Sequence, residues 1–132
     1  MAPIKSSWLD RALVRTSYYY CLCLSEKEFH KKLRWFKLPR ADWPPFIKST
    51  HANATAHFLE SNEGERVAIV CLGDPKNLDA IQITALLVHE AVHIWQRSMA
   101  DIGETAPSEE FMAYGIQRIS QELMYSYVEQ TK

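Results

Sequence analysis

The spacing of apolar residues along the chain changes several times between the period of a strand and that of a helix. An unbroken aromatic or apolar run is typical of a buried strand, whereas a helix repeats apolar residues every three or four positions. Read in this way, the sequence predicts a strand at 18–24, a helix at 26–38, a hairpin at 55–60 and 66–72, and long helices at about 78–99 and 108–128. The order β-α-β-β-α-α predicts an α+β fold.

Local signals set the boundaries of these elements. Ser25 and Glu28 form a capping-box pattern in front of the first helix, and Pro39 is expected to end it. Residues 61–64 form a turn between the hairpin strands, and Gly103 marks the loop between the two long helices. The sequence also allows a further short helix around Trp8, before the first strand.

Length and composition indicate one folded domain over 1–132. Of the 132 residues, 47% are hydrophobic and 23% charged, as in ordinary globular proteins. The net charge is −1 and the basic residues are scattered, so we expect no nucleic-acid partner. No apolar run is long enough to predict a membrane span.

The three cysteines, Cys21, Cys23 and Cys71, are an odd number. Together with the lack of a signal-peptide pattern, this predicts reduced thiols in the cytoplasm. Cys21 and Cys23 would point to one face of a strand, where Cys71 could meet them. A metal site there lacks a fourth ligand, which favours buried apolar cysteines.

The motif that carries chemistry is His89-Glu90-Ala91-Val92-His93, an H-E-x-x-H sequence on a predicted helix. Residues four apart lie on one helix face, so His89 and His93 can hold one Zn²⁺. Glu90 is then close enough to a water at the metal to act as general base. The apolar flanking residues predict a buried setting for this site.

A catalytic zinc site needs a third protein ligand. No histidine follows His93, so a downstream carboxylate is the best candidate, and Glu109 and Glu110 open the last helix. The helical wheel places Glu109 closer to the core stripe, whereas Glu110 lies at the border, where a cleft would open. The predicted stripe consists of Met112, Ile116, Ile119, Leu123 and Tyr127.

The two motifs together resemble those of the gluzincins, zinc peptidases with H-E-x-x-H on one helix and a ligand glutamate on a later one. Glu110-Phe111-Met112-Ala113-Tyr114 is similar to their E-x-x-A-D pattern, with Tyr114 in the aspartate position. The size resembles the single-domain minigluzincins, and H-E-A-V-H-I-W-Q resembles small peptidase-like proteins of phages and prophages. The likeness spans about Thr55 to Gln121.

This resemblance implies a small zincin-like domain, a short sheet with an active-site helix and a glutamate helix. It implies His89, His93 and Glu110 as metal ligands and Glu90 as general base. The substrate would be a peptide or a protein. The protein would act in the cytoplasm, or in the host cytoplasm if a phage encodes it. Tyr114 would replace an aspartate that orients a ligand histidine. The strand at 55–58 would be the edge that binds substrate, where His57 is a surface residue or a substrate contact.

Three functions are therefore open at the level of sequence. The leading one is a zinc-dependent hydrolase, a small metallopeptidase. The second is a non-catalytic, zinc-stabilised binding protein, such as a phage-encoded factor acting on a host protein, which would have no use for Glu90 as a base. The third is a metal-free helical interaction domain.

Overall fold

A computed structural model describes Trp8 and residues 18–48, 52–74, 76 and 78–132. Within this part of the chain it confirms the α+β class and the predicted order of elements. These are β1 (Tyr18–Cys23), α1 (Glu26–Trp35), β2 (Ala54–Glu60), β3 (Arg66–Leu72), α2 (Ala80–Asp101) and α3 (Glu109–Gln130), with a 3₁₀ turn at Arg40–Asp42. Trp8 forms an isolated bridge with Cys21, and the remainder of the predicted N-terminal helix lies outside the described residues.

The three strands form one sheet in the order β1-β3-β2. The hairpin makes β2 antiparallel to β3, and β1 pairs with β3 in parallel. The parallel pairing requires a crossover after β1, which α1 and the following loop supply. The central strand β3 is buried from Val67 to Leu72, as expected for a strand covered on both faces. The order leaves β2 at an edge of the sheet.

Helices cover both faces of the sheet because side chains alternate between its faces. Tyr20, Leu22 and Val70 pack with Leu87 and Ile94 of α2, and α3 completes this core. On the opposite face, α1 covers a smaller core that contains the three cysteines, Phe29 and Leu33. Among the described helices, none is long and apolar enough to cross a membrane.

The cysteine prediction is confirmed as far as burial is concerned. Cys21, Cys23 and Cys71 are fully buried in the core beneath α1 and form no disulfide. Cys23 and Cys71 are direct partners in the parallel register of β1 and β3. Burial raises the pKa of the Cys21 and Cys71 thiols well above its ordinary range, so these thiols are neutral packing residues.

The first helix ends earlier than Pro39 alone predicts. Lys37 adopts a left-handed conformation, with φ 60°. Its backbone N–H donates to Arg34 O, and that of Leu38 donates to Leu33 O at 3.1 Å, the two hydrogen bonds of a Schellman motif. The turn keeps Phe36 in the core after the helix has ended. Glycine or asparagine usually occupies this position, so a lysine there does not predict the end of the helix.

The two long helices pack against each other at Gly115 of α3. Asp79 and Gln82 form a capping box that starts α2, a D-x-x-Q signal present in the sequence. Gly103, with φ 76°, turns the chain after α2, and Ser108 caps α3 through the Phe111 N–H. The indole of Trp95 on α2 lies directly over Gly115 of α3. This contact decides which side of α2 is covered by α3.

Candidate metal centre

The two histidines of the H-E-x-x-H motif lie one turn apart on α2 and point at the same place. The Nε2 atoms of His89 and His93 are 3.1 Å apart. Two imidazole nitrogens that share a zinc ion, each about 2.0–2.1 Å from it, lie roughly 3.1–3.4 Å from one another. The distance between the two nitrogens is therefore compatible with one shared zinc ion. Both imidazoles are exposed, in contrast to the buried setting predicted for them.

The carboxylate of Glu90 is buried beside these exposed rings. Only 4% of the residue is accessible, and its side chain forms no hydrogen bond with the residues that the structure describes. Burial raises the pKa of Glu90, and the two imidazoles oppose this rise. A carboxylate with little solvation and no donor binds a proton more readily than one in water, which suits a general base.

An open cleft of about 730 Å³ runs along the histidines between α2 and β2. The strand side of the cleft is formed by alternate small residues, Ala52, Ala54 and Ala56, and then by Phe58. Successive side chains of a strand alternate between its faces, so this A-x-A-x-A pattern keeps one face empty beside the helix. The pattern is visible in the sequence and is a signal from which the cleft could have been predicted.

The predicted glutamates do not join the histidines in this structure. Glu109 and Glu110 are both exposed in the first turn of α3. Among the described residues, no three His, Cys, Asp or Glu side chains form a group able to hold a metal ion. The structure thus brings together His89, Glu90 and His93 and leaves Glu110 apart from them.

The side of α2 on which α3 packs explains this separation. Trp95, which contacts Gly115 and Phe111 of α3, lies roughly 120–160° around the helix from the two histidines at 100° per residue. The cleft is on one side of α2, and α3 is on the other. The inward stripe of α3 also differs from prediction at its start, since Met112 is exposed. Tyr114, in the position of the gluzincin aspartate, is exposed as well.

The structure corrects both interpretations of His57. The residue is buried on the face of the sheet covered by α1, where its ring stacks on Phe29 with centroids 4.8 Å apart. Its Nε2 lies 3.1 Å from Phe46 O, which accepts the hydrogen bond of the neutral ring. His57 is therefore a core residue of β2, neither an ordinary surface residue nor a substrate contact.

Burial lowers the pKa of His57 below 6.5, Lys48 lowers it further, and the hydrogen bond to Phe46 opposes the shift. The unfolded chain then binds this proton more readily than the folded one, so stability should fall as the pH drops through 6.5. We expect the free energy of unfolding of His57→Phe to decline less between pH 7.5 and 5 than that of the wild type. Urea titrations at the two pH values measure this, and equal declines would contradict it.

One cleft residue was missed at the level of sequence. Arg97 lies one turn beyond His93 on the same helix face, and its guanidinium carbon is 4.7 Å from the centre of the Phe58 ring. The i, i+4 spacing from His93 was the available signal. Arg97 and Lys48 give the cleft two positive side chains.

The chain matches no family model, no curated protein and no solved structure. Its function has to be inferred from the chemistry of the site, because a fold alone does not decide function.

Proposed function

We propose that the protein is a zinc-dependent hydrolase that cleaves peptide or protein substrates. The observation that carries this proposal is the pair of Nε2 atoms 3.1 Å apart, beside a buried carboxylate at an open cleft. Structural zinc sites are closed by four protein ligands, whereas catalytic sites leave a position open to the solvent. An exposed pair of imidazoles on a cleft supports the catalytic kind.

His89 and His93 would hold the metal through Nε2. When bound there, zinc acts as a Lewis acid and lowers the pKa of water. The carboxylate of Glu90 accepts the proton of the attacking water and donates it to the leaving nitrogen. Along the edge strand β2, Ala54 and Ala56 leave room for an extended segment, which unpaired main-chain groups of an edge strand can bind.

Glu110 as third ligand rests on the resemblance to gluzincins. Because α3 packs on the opposite side of α2 in this structure, Glu110 is a separate prediction with its own test. The zinc affinity of Glu110→Gln decides it. A fall in zinc affinity of about tenfold or more supports direct ligation. A residue that only hydrogen bonds to a ligand contributes about tenfold to metal affinity, and a ligand contributes at least as much. An unchanged affinity removes Glu110 from the site.

The zinc proposal predicts one zinc ion per chain in purified, dialysed protein. Replacing both His89 and His93 by alanine should reduce the zinc content to background, because a single remaining carboxylate does not retain the ion. Elemental analysis by mass spectrometry measures the content, and competition with a chelating dye gives the affinity. His30→Ala is the matched control, since the His30 ring lies 4.9 Å from that of Trp43, away from the cleft.

Two results would contradict this prediction: wild-type protein that does not bind added zinc, and a double variant that keeps it. Circular dichroism of each variant shows whether a loss of zinc reflects a loss of the fold.

A further inference from the structure

We propose that the cleft selects peptide segments that carry an acidic side chain, and that Arg97 recognises it. The inference rests on the proposed function, since it names the substrate class of the same site.

The charges that line the cleft are unbalanced. Lys48 and Arg97 are cationic, and neither forms an ion pair with a carboxylate in the part of the chain that the structure describes. Glu90 is the one carboxylate among the described lining residues, and it is only 4% exposed. A cleft lined by cations attracts acidic ligands and disfavours basic ones.

Arg97 is held in position before any ligand arrives. Its guanidinium lies 4.7 Å from the Phe58 ring centre and close to the hydroxyl of Tyr18. The nearby acid, Asp101, is already engaged by Tyr18 and by Arg66, whose Nη1 lies 3.3 Å from Asp101 Oδ2. A guanidinium has five N–H donors in a fixed plane, so donors remain for a carboxylate.

The position of Arg97 predicts where the acidic side chain lies. Arg97 follows His93 by four residues, about 6 Å along the helix axis. An extended peptide advances about 3.3 Å per residue, so a side chain about two residues from the bond held at the histidines reaches Arg97. Lys48 lies beside Thr55 of β2, whose Oγ1 accepts a hydrogen bond from the Lys48 backbone N–H, whereas Arg97 contacts Phe58. Selectivity through Arg97 should therefore be confined to one side of the cleaved bond.

The test uses fluorogenic peptides with an alanine background, in which one glutamate or one lysine is moved from three residues before the cleaved bond to three residues after it. For wild-type protein we expect glutamate to raise kcat/KM about tenfold over lysine on one side of the bond, the size of one charge-assisted contact. Arg97→Gln should abolish that preference, and Arg97→Lys should retain part of it. Arg34→Gln removes an exposed arginine of α1 and is the matched control.

A second readout does not require turnover. Fluorescence anisotropy measures binding of the labelled glutamate peptide to the Glu90→Gln variant, with and without added zinc. Affinity should fall about tenfold on adding Arg97→Gln, and thermal unfolding should show that both proteins are folded. Binding that depends on Arg97 without any hydrolysis by wild-type protein would support the ligand class and reject the hydrolase. Hydrolysis with no charge preference, or a preference that Arg97→Gln retains, would overturn the assignment of Arg97.

Discussion

Replacing Glu90 by glutamine should lower kcat for peptide hydrolysis by about 10²–10⁴-fold, the usual contribution of a general base. The amide has nearly the volume of the carboxylate and cannot accept the proton of the attacking water. The variant should bind zinc as the wild type does, because His89 and His93 are unchanged. Loss of turnover with retained zinc is a result that few other roles for Glu90 would produce.

The fold of this variant should not suffer. Glu90 is 4% exposed, and burial raises its pKa, which means that the site disfavours the charged form. A neutral amide is less costly to bury than an unpaired carboxylate, so the unfolding midpoint at pH 7 should be equal to that of the wild type or higher. Glu65→Gln, in the exposed hairpin turn, is the matched control and should change neither activity nor zinc content.

The outcomes separate the hydrolase from its competitors. Full activity in Glu90→Gln would remove Glu90 from the mechanism. Wild-type protein that binds zinc but cleaves no member of a diverse peptide library would instead be the zinc-stabilised binding protein. Wild-type protein without zinc would point to the metal-free interaction domain.

Much of the fold could be predicted because its signals are local. The Ser25 cap of α1, the turn at 61–64 and the apolar run of β3 each concern neighbours in the sequence, and the structure confirms them. The predicted capping box is only half formed, because Ser25 Oγ accepts from the Glu28 N–H while the Glu28 carboxylate lies 3.5 Å from Lys31 Nζ. The end of α1 could not be predicted, since the left-handed Lys37 is stabilised by backbone hydrogen bonds and by burial of Phe36. The burial of His57 likewise depends on Phe29 and Phe46.

The candidate site also has one part that depends on local sequence and one that depends on long-range packing. Helical spacing alone brings His89 and His93 together, so the sequence was sufficient for that pair. The relation of Glu110 to the pair depends on which side of α2 is covered by α3. That choice is made by long-range packing of Trp95 on Gly115, which no local pattern shows.

Substituting Gly115 by alanine should destabilise the protein by about 2–3 kcal/mol through overpacking. A Cβ at this position would lie 2.1 Å from Cζ3 and 2.4 Å from Cε3 of Trp95. The indole is 2% exposed and has Phe111 against it, with ring centroids 5.1 Å apart, so it has no free space to enter. Helix propensity alone predicts the opposite sign, a gain of about 1 kcal/mol for alanine over glycine.

Urea denaturation of wild type and variant measures the difference, and Ala113→Gly provides the matched control. Ala113 is exposed on the same helix, so its replacement reports helix propensity alone, a loss of about 1 kcal/mol. Trp95→Leu should relieve the clash, so the double variant should lose less stability than the two single losses combined. A Gly115→Ala protein as stable as the wild type would mean that α3 does not approach α2 at Trp95. Only then would α3 be free to present Glu110 on the histidine side of α2.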